Sequence, residues 1–149
     1  MVPASYVYLL REGAGGTEVL LQRREGTGYM DGHWAAAAAG HVERGETAFQ
    51  AAAREAAEEL GITDVGLAFE LTMHRTQSGG APIDERVDFF FSARTWSGEP
   101  RLLEPEKAAE LAWFPLVALP GLTVPHERIA LQHLGSGAGY LAVGFEDAG

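Results

Sequence analysis

The chain has 149 residues, a hydrophobic fraction of 46% and a formal net charge of −10. The length suits one domain over residues 1–149 with a real core, and the charge argues against binding to polymeric nucleic acid or to an anionic membrane surface. Cysteine is absent, which excludes a disulfide framework, a thiolate nucleophile and a zinc–thiolate site.

Residues 1–10 carry no basic stretch ahead of a long apolar region, so they do not read as a signal peptide. No stretch reaches the roughly 18 apolar residues of a membrane span, and the cytoplasm is the expected location. Residues 5–11 form an apolar run with two tyrosines and are predicted as a strand. After a Gly-rich turn, residues 18–24 are its predicted hairpin partner. Residues 25–32 are a loop, and residues 34–39 a short strand leading into Gly40. Thr47 and Gln50 have the spacing of a capping box, which predicts a helix from Ala48, and Gly61 is placed to end it. On a helical wheel, Phe49, Ala53, Ala56 and Leu60 form the expected apolar stripe.

Further on, residues 65–76 read as a long strand with a bend, 77–82 as a loop, and 86–96 as a strand containing three consecutive phenylalanines. A loop rich in Glu and Pro covers 97–107. Residues 110–114 are a short strand and 124–134 a second helix with Pro125 at its start. Residues 135–139 break the chain before a small strand at 140–145. The fold class expected is α/β, one mixed sheet with helices on both faces.

The densest chemistry lies between Gly40 and Ile62. Glu55, Glu58 and Glu59 fall on about one turn of the predicted helix, with Glu46 in the loop ahead of it. No Lys or Arg follows at i+3 or i+4, so Glu55 and Glu59 form an uncompensated like-charge pair. Oxygen donors that lack a countercharge suit a hard divalent cation, Mg²⁺ or Mn²⁺. A metal of that kind would also screen a diphosphate, so a nucleotide substrate is compatible with an acidic chain.

Gly40, Glu46, Arg54, Glu55, Glu58, Glu59, Gly61 and Ile62 stand at the spacing of a known signature: Gly, five residues, Glu, seven residues, then Arg-Glu-aliphatic-any-Glu-Glu-any-Gly-aliphatic. The segment resembles the signature of the Nudix hydrolases. Ala56 stands where a larger aliphatic is preferred, and Ala38-Ala39 where family members often carry Pro-Gly.

The resemblance implies an α/β/α sandwich around a mixed sheet. It also implies divalent-metal-dependent hydrolysis of a nucleoside diphosphate linked to another group. Nucleoside triphosphates, ADP-ribose and other nucleotide sugars are all candidates, with a slight lean to triphosphates. By the same resemblance, Glu55 and Glu59 are direct Mg²⁺ ligands, Glu58 ligates or orients a water, and the Gly40 carbonyl is a further ligand. The catalytic base is left open among Glu58, Glu59 and a loop glutamate near Glu106. Arg54 is expected to point away from the metal and to pair with Glu46, supporting the site from outside. Arg23 or Arg24, with Arg24 preferred, contacts a substrate phosphate, and Tyr29, Met30 and His33 are candidates to line a base pocket. The partner is a nucleotide-type small molecule, and a homodimer is admitted. Two rivals come from the same fold. A ligand sensor has no need of three charged carboxylates, and a prenyl-diphosphate isomerase usually needs a cysteine.

Overall fold

The computed structural model describes residues 1–77 and 80–145. Eight strands and two helices follow one another: β1 (Val2–Gly13), β2 (Gly16–Arg24), β3 (Trp34–Ala36), β4 (Ala38–His41), α1 (Ala48–Leu60), β5 (Leu67–Thr76), β6 (Glu85–Ala93), β7 (Ala108–Pro115), α2 (Pro125–Gln132) and β8 (Tyr140–Val143). The strands join in one mixed sheet of order β3-β2-β1-β6-β5-β8, with β4 also paired to β1 and β7 to β2. β1 pairs antiparallel with β2 through the expected hairpin and parallel with β6. Of the expected 77–82 loop, residues 78 and 79 lie outside the described residues.

The unbroken apolar run at residues 6–10 of β1 has a structural reason. Its side chains alternate between two faces, and both faces are covered. Tyr6, Tyr8 and Leu10 pack into one core with Ala130 and Leu131 of α2. Val7 and Leu9 pack into the other with Ala52, Ala56 and Leu60 of α1. The two helices therefore sandwich the sheet, an α/β fold as expected from the sequence.

The ends of α1 follow from local chemistry. The Thr47 side chain accepts from the Gln50 amide, the Gln50 side chain accepts from the Thr47 amide, and Gly61 caps the C-terminus in the left-handed region at φ 69°. The buried face differs from the predicted stripe. Ala51, Ala52, Ala56 and Leu60 are buried, whereas Phe49 is 52% exposed and Ala53 is also exposed. Phe49 instead lays its ring edge against Phe91. This rotation turns Glu55 and Glu59 toward the sheet.

The single strand expected at 34–39 is in fact two. β3 pairs with β2, the chain steps at Ala37, and β4 pairs with β1 through Ala4↔His41 and Ser5↔Gly40. Gly40 is thereby fixed in a sheet position beside α1. β5 carries an irregularity between Phe69 and Leu71, the bend read from sequence. Among the described residues, no helix is long and apolar enough to cross a membrane.

Candidate active site

Glu55 and Glu59, one turn apart on α1, both face β4. The Ala39 amide donates to Glu59 Oε2 at 2.7 Å. A Cβ built on Gly40 would collide with the Glu55 carboxylate, so only glycine lets the strand and that carboxylate lie side by side. Burial pushes the Glu59 carboxyl up to about 8, with the charges of Glu55 and Glu104 adding and the Ala39 amide opposing. Burial raises Glu55 as well, against the lowering effect of Arg54. Gly40→Ala is therefore expected to cut turnover at least about tenfold, since a small displacement of a side chain in an active site is costly. Far-UV circular dichroism should remain native. Unchanged kinetics would show that the close approach has no role.

Arg54 does not point away from the carboxylates. Its Nε donates to Glu46 Oε2 at 2.8 Å and its Nη2 to Glu46 Oε1 at 3.0 Å, a bidentate pair. Nη2 also donates to the His41 carbonyl at 3.1 Å. Nη1 reaches Glu55 at 2.7 Å and Glu58 at 3.2 Å. The carboxylates are thus partly compensated by the residue just before them, through a flexible side chain that curls over the helix surface. Glu46 is held down at about 2, first by the Arg54 hydrogen bonds and then by the Glu43 amide. Glu58 is largely exposed, its carboxylate held by Arg54 alone among the described residues.

On the other side of Gly40 and Ala39 a cavity of about 250 Å³ opens on the α2 face of the sheet, and Glu59 forms part of its wall. Of the substrate candidates, Arg24 and Tyr29 line it. The Arg24 guanidinium lies over the Tyr29 ring, 5.3 Å from its centroid, and its Nε donates to the Tyr29 carbonyl. Arg23, Met30 and His33 are not in the wall. Arg23 pairs with Glu110 at the surface, 3.0 Å apart. Met30 holds a turn at φ 49°, and its carbonyl accepts from the His33 amide. Glu106 is exposed. The neighbouring Glu104 is the loop carboxylate whose charge is felt at both Glu55 and Glu59, and it is paired with Lys107 at 2.7 Å.

The floor of the cavity is polar and is built from Tyr6, Arg75, His126 and Glu127, residues far apart in sequence, with Asp88 held behind them by Arg75 and Tyr6. Asp88 is fully buried, paired with Arg75 Nε at 2.9 Å, and accepts from the Tyr6 hydroxyl. His126 also meets the Tyr6 hydroxyl. Burial and the charges of Arg75, Arg86 and Arg24 push His126 down to about 3, so it is neutral at pH 7. Glu127 accepts from the Ala36 amide and the Tyr8 hydroxyl, and burial pushes it up to about 7. None of these residues was singled out from sequence. The available signal was a charged residue inside each of two apolar strands, Arg75 and Asp88.

Among the described residues, no three acidic or histidine side chains stand together as a ready-made metal cage. The donor chemistry nonetheless fits a hard cation. Glu55 and Glu59 are oxygen donors on adjacent turns, and burial, with the charges of Glu55 and Glu104, disfavours the charged form of Glu59, which a bound cation would favour.

The model of the NUDIX domain matches residues 2–134. A protein of Jannaschia sp. (strain CCS1) called isopentenyl-diphosphate Delta-isomerase is 36% identical over 115 residues, covering 76% of this chain and 63% of that protein. An uncharacterised Nudix hydrolase of Yersinia pestis is 32% identical over 121 residues, covering 74% of this chain and 56% of that protein. The chain thus spans about six-tenths of the length of these curated relatives. Among solved structures, a MutT NUDIX hydrolase from Burkholderia pseudomallei superposes with a TM-score of 0.77 at 28% identity, covering 89% of this chain and 96% of that one.

Proposed function

The chain belongs to the Nudix family, and from that premise we propose that it hydrolyses a phosphoanhydride bond in a nucleoside diphosphate linked to another group, with nucleoside triphosphates favoured. One observation carries the reading. Glu59, turned inward from the signature helix, forms a wall of the same cavity that Arg24 and Tyr29 line. The inward carboxylate and the Arg24 and Tyr29 side chains therefore share one space, which supports the reading.

Glu55 and Glu59, with Glu58 and the Gly40 carbonyl, would hold Mg²⁺ or Mn²⁺. Such an ion neutralises diphosphate oxygens and lowers the pKa of water. Arg54 keeps Glu46, Glu55 and Glu58 tied to one guanidinium, so the loop and helix share one geometry. Arg24 faces the cavity without a direct carboxylate partner among the described residues and suits a phosphate oxygen. Water attacks phosphorus, the bridging P–O bond breaks, and the proton of the water passes to a carboxylate. Glu59 and Glu104 are the best placed to take it, Glu59 because it lines the cavity and Glu104 because it stands near both signature carboxylates.

The name carried by the Jannaschia relative raises isomerisation of a prenyl diphosphate as a rival. Two features weigh against it. The chain has no cysteine, and its cavity floor is charged and hydrogen-bonded where a five-carbon apolar chain would sit. A phosphate-release screen over nucleoside triphosphates, ADP-ribose and nucleotide sugars, run beside an isopentenyl diphosphate isomerisation assay, decides between them. Nucleotide cleavage that a chelator abolishes and excess Mg²⁺ restores is the expected result. Isomerisation without nucleotide cleavage, or full activity without metal, would overturn the reading.

A further inference from the structure

Four cationic side chains line the cavity although the whole chain carries a net charge of −10. Two have carboxylate partners: Arg75 has Asp88 and Lys107 has Glu104. Arg24 and Arg86 have none in direct contact among the described residues. Arg86 stands directly opposite Arg75 on neighbouring strands, a like-charge pairing that destabilises a sheet. Its Nη1 donates to His41 Nε2 at 3.0 Å, and its Nε is enclosed with no hydrogen-bond partner among the described residues. A charged donor in that position costs free energy in the free protein. The field of Arg75, Arg86 and Arg24 converges on His126 at the cavity floor. Their charges thus act on one space rather than on separate patches of surface.

We propose that Arg86, with Arg24 across the cavity, forms an anion subsite for a phosphoryl group beyond the two joined by the scissile bond. Arg86 hangs from His41, the residue after Gly40, and so stands at the carboxylate end of the cavity. A substrate with three consecutive phosphoryl groups places an anionic oxygen there. A diphosphate linked to a neutral group leaves Arg86 unmatched beside Arg75. The subsite deepens the hydrolase reading and rests on it for the orientation of the substrate, but it makes a claim about binding that needs no turnover.

The test is titration calorimetry of the full chain with inorganic tripolyphosphate and with pyrophosphate, in chelator and at low salt. The wild type should bind tripolyphosphate more tightly than pyrophosphate. Arg86→Gln should lose about tenfold in tripolyphosphate affinity, and with it the preference, because a charge-assisted pair is removed. Arg86→Lys, which keeps the charge and loses the fork, should lose about threefold. A wild type that does not distinguish the two anions, or an Arg86→Gln chain within twofold of wild type, overturns the proposal. Should Arg86→Gln fail to fold, an Arg86→Lys affinity equal to wild type overturns it instead. Arg86-dependent binding in a chain that cleaves no nucleotide would sink the hydrolase reading and keep the subsite. Nucleotide cleavage with Arg86→Gln unchanged in both assays would sink the subsite alone.

Discussion

Glu59→Gln is expected to lower nucleotide turnover at least about a hundredfold, the scale lost when even an outer partner of a metal ligand is removed, while leaving the fold intact. The amide keeps the shape and keeps an oxygen for the Ala39 amide, which now donates to Glu59 Oε2. It removes only the charge. The stability signature is independent of catalysis. Burial raises Glu59 to about 8, well above the roughly 4.3 of a free glutamate. A raised carboxyl contributes stability below its unfolded pKa, and that contribution is lost as pH rises through the folded pKa. Between pH 4.5 and 8 the wild type should therefore lose stability relative to the variant. The melting temperature of Glu59→Gln in chelator should match wild type near pH 4.5 and exceed it at pH 9. Glu127 is also raised, but both proteins carry it, so it cancels in the difference between them. Excess Mg²⁺ should close the gap at pH 9, because bound metal favours the ionised form and binds the wild type more tightly. A pH-independent difference would show that Glu59 is not strained by burial, and normal turnover would remove it from the site.

The sequence made the contiguous parts of this site legible and hid the convergent ones. The signature, the capping box of Thr47 and Gln50 and the Gly61 cap are local in the chain, and local chemistry determines them. The apolar run in β1 was legible as a strand, and the structure adds that both its faces are buried. The inward turn of α1 was harder to read. Phe49 dominates a helical wheel by its size, yet alanines that weigh little on such a wheel make the close contacts to the sheet, and Phe49 finds Phe91 from an exposed position. A wheel also fixes only the Cβ direction, so it misplaced the end of the long Arg54 side chain. The cavity floor was out of reach for another reason. Arg75 and His126 in the cavity wall, and Asp88 buried behind them, come from β5, α2 and β6, and only the tertiary fold brings them together.

Arg54→Ala should damage chemistry and stability together, unlike Glu59→Gln. One guanidinium ties Glu46, the His41 carbonyl, Glu55 and Glu58. Its removal leaves four carboxylates, counting Glu59, with mutual repulsion and no fixed cation among them. It also frees the 42–46 loop from α1. Turnover should fall at least about a hundredfold, and the melting temperature at pH 7 should fall by about 4 °C or more in a domain of this size. The pH dependence runs opposite to that of Glu59. Arg54 holds Glu46 down at about 2, and a depressed carboxyl contributes stability above its unfolded pKa that is lost as pH falls through the folded one. The stability gap between wild type and Arg54→Ala should therefore be full at pH 6 and shrink steadily from pH 4.5 toward 2. Arg54→Lys should recover part of the stability through its charge but little turnover, since an ammonium cannot hold both Glu46 oxygens in a fork while reaching Glu55. Added Mg²⁺ should restore part of the lost stability in Arg54→Ala, by supplying the missing positive charge to Glu55 and Glu58, without restoring the loop. If Arg54→Lys turned over substrate like the wild type, charge alone would explain the residue, and the bidentate grip on Glu46 would have no part in positioning the carboxylates.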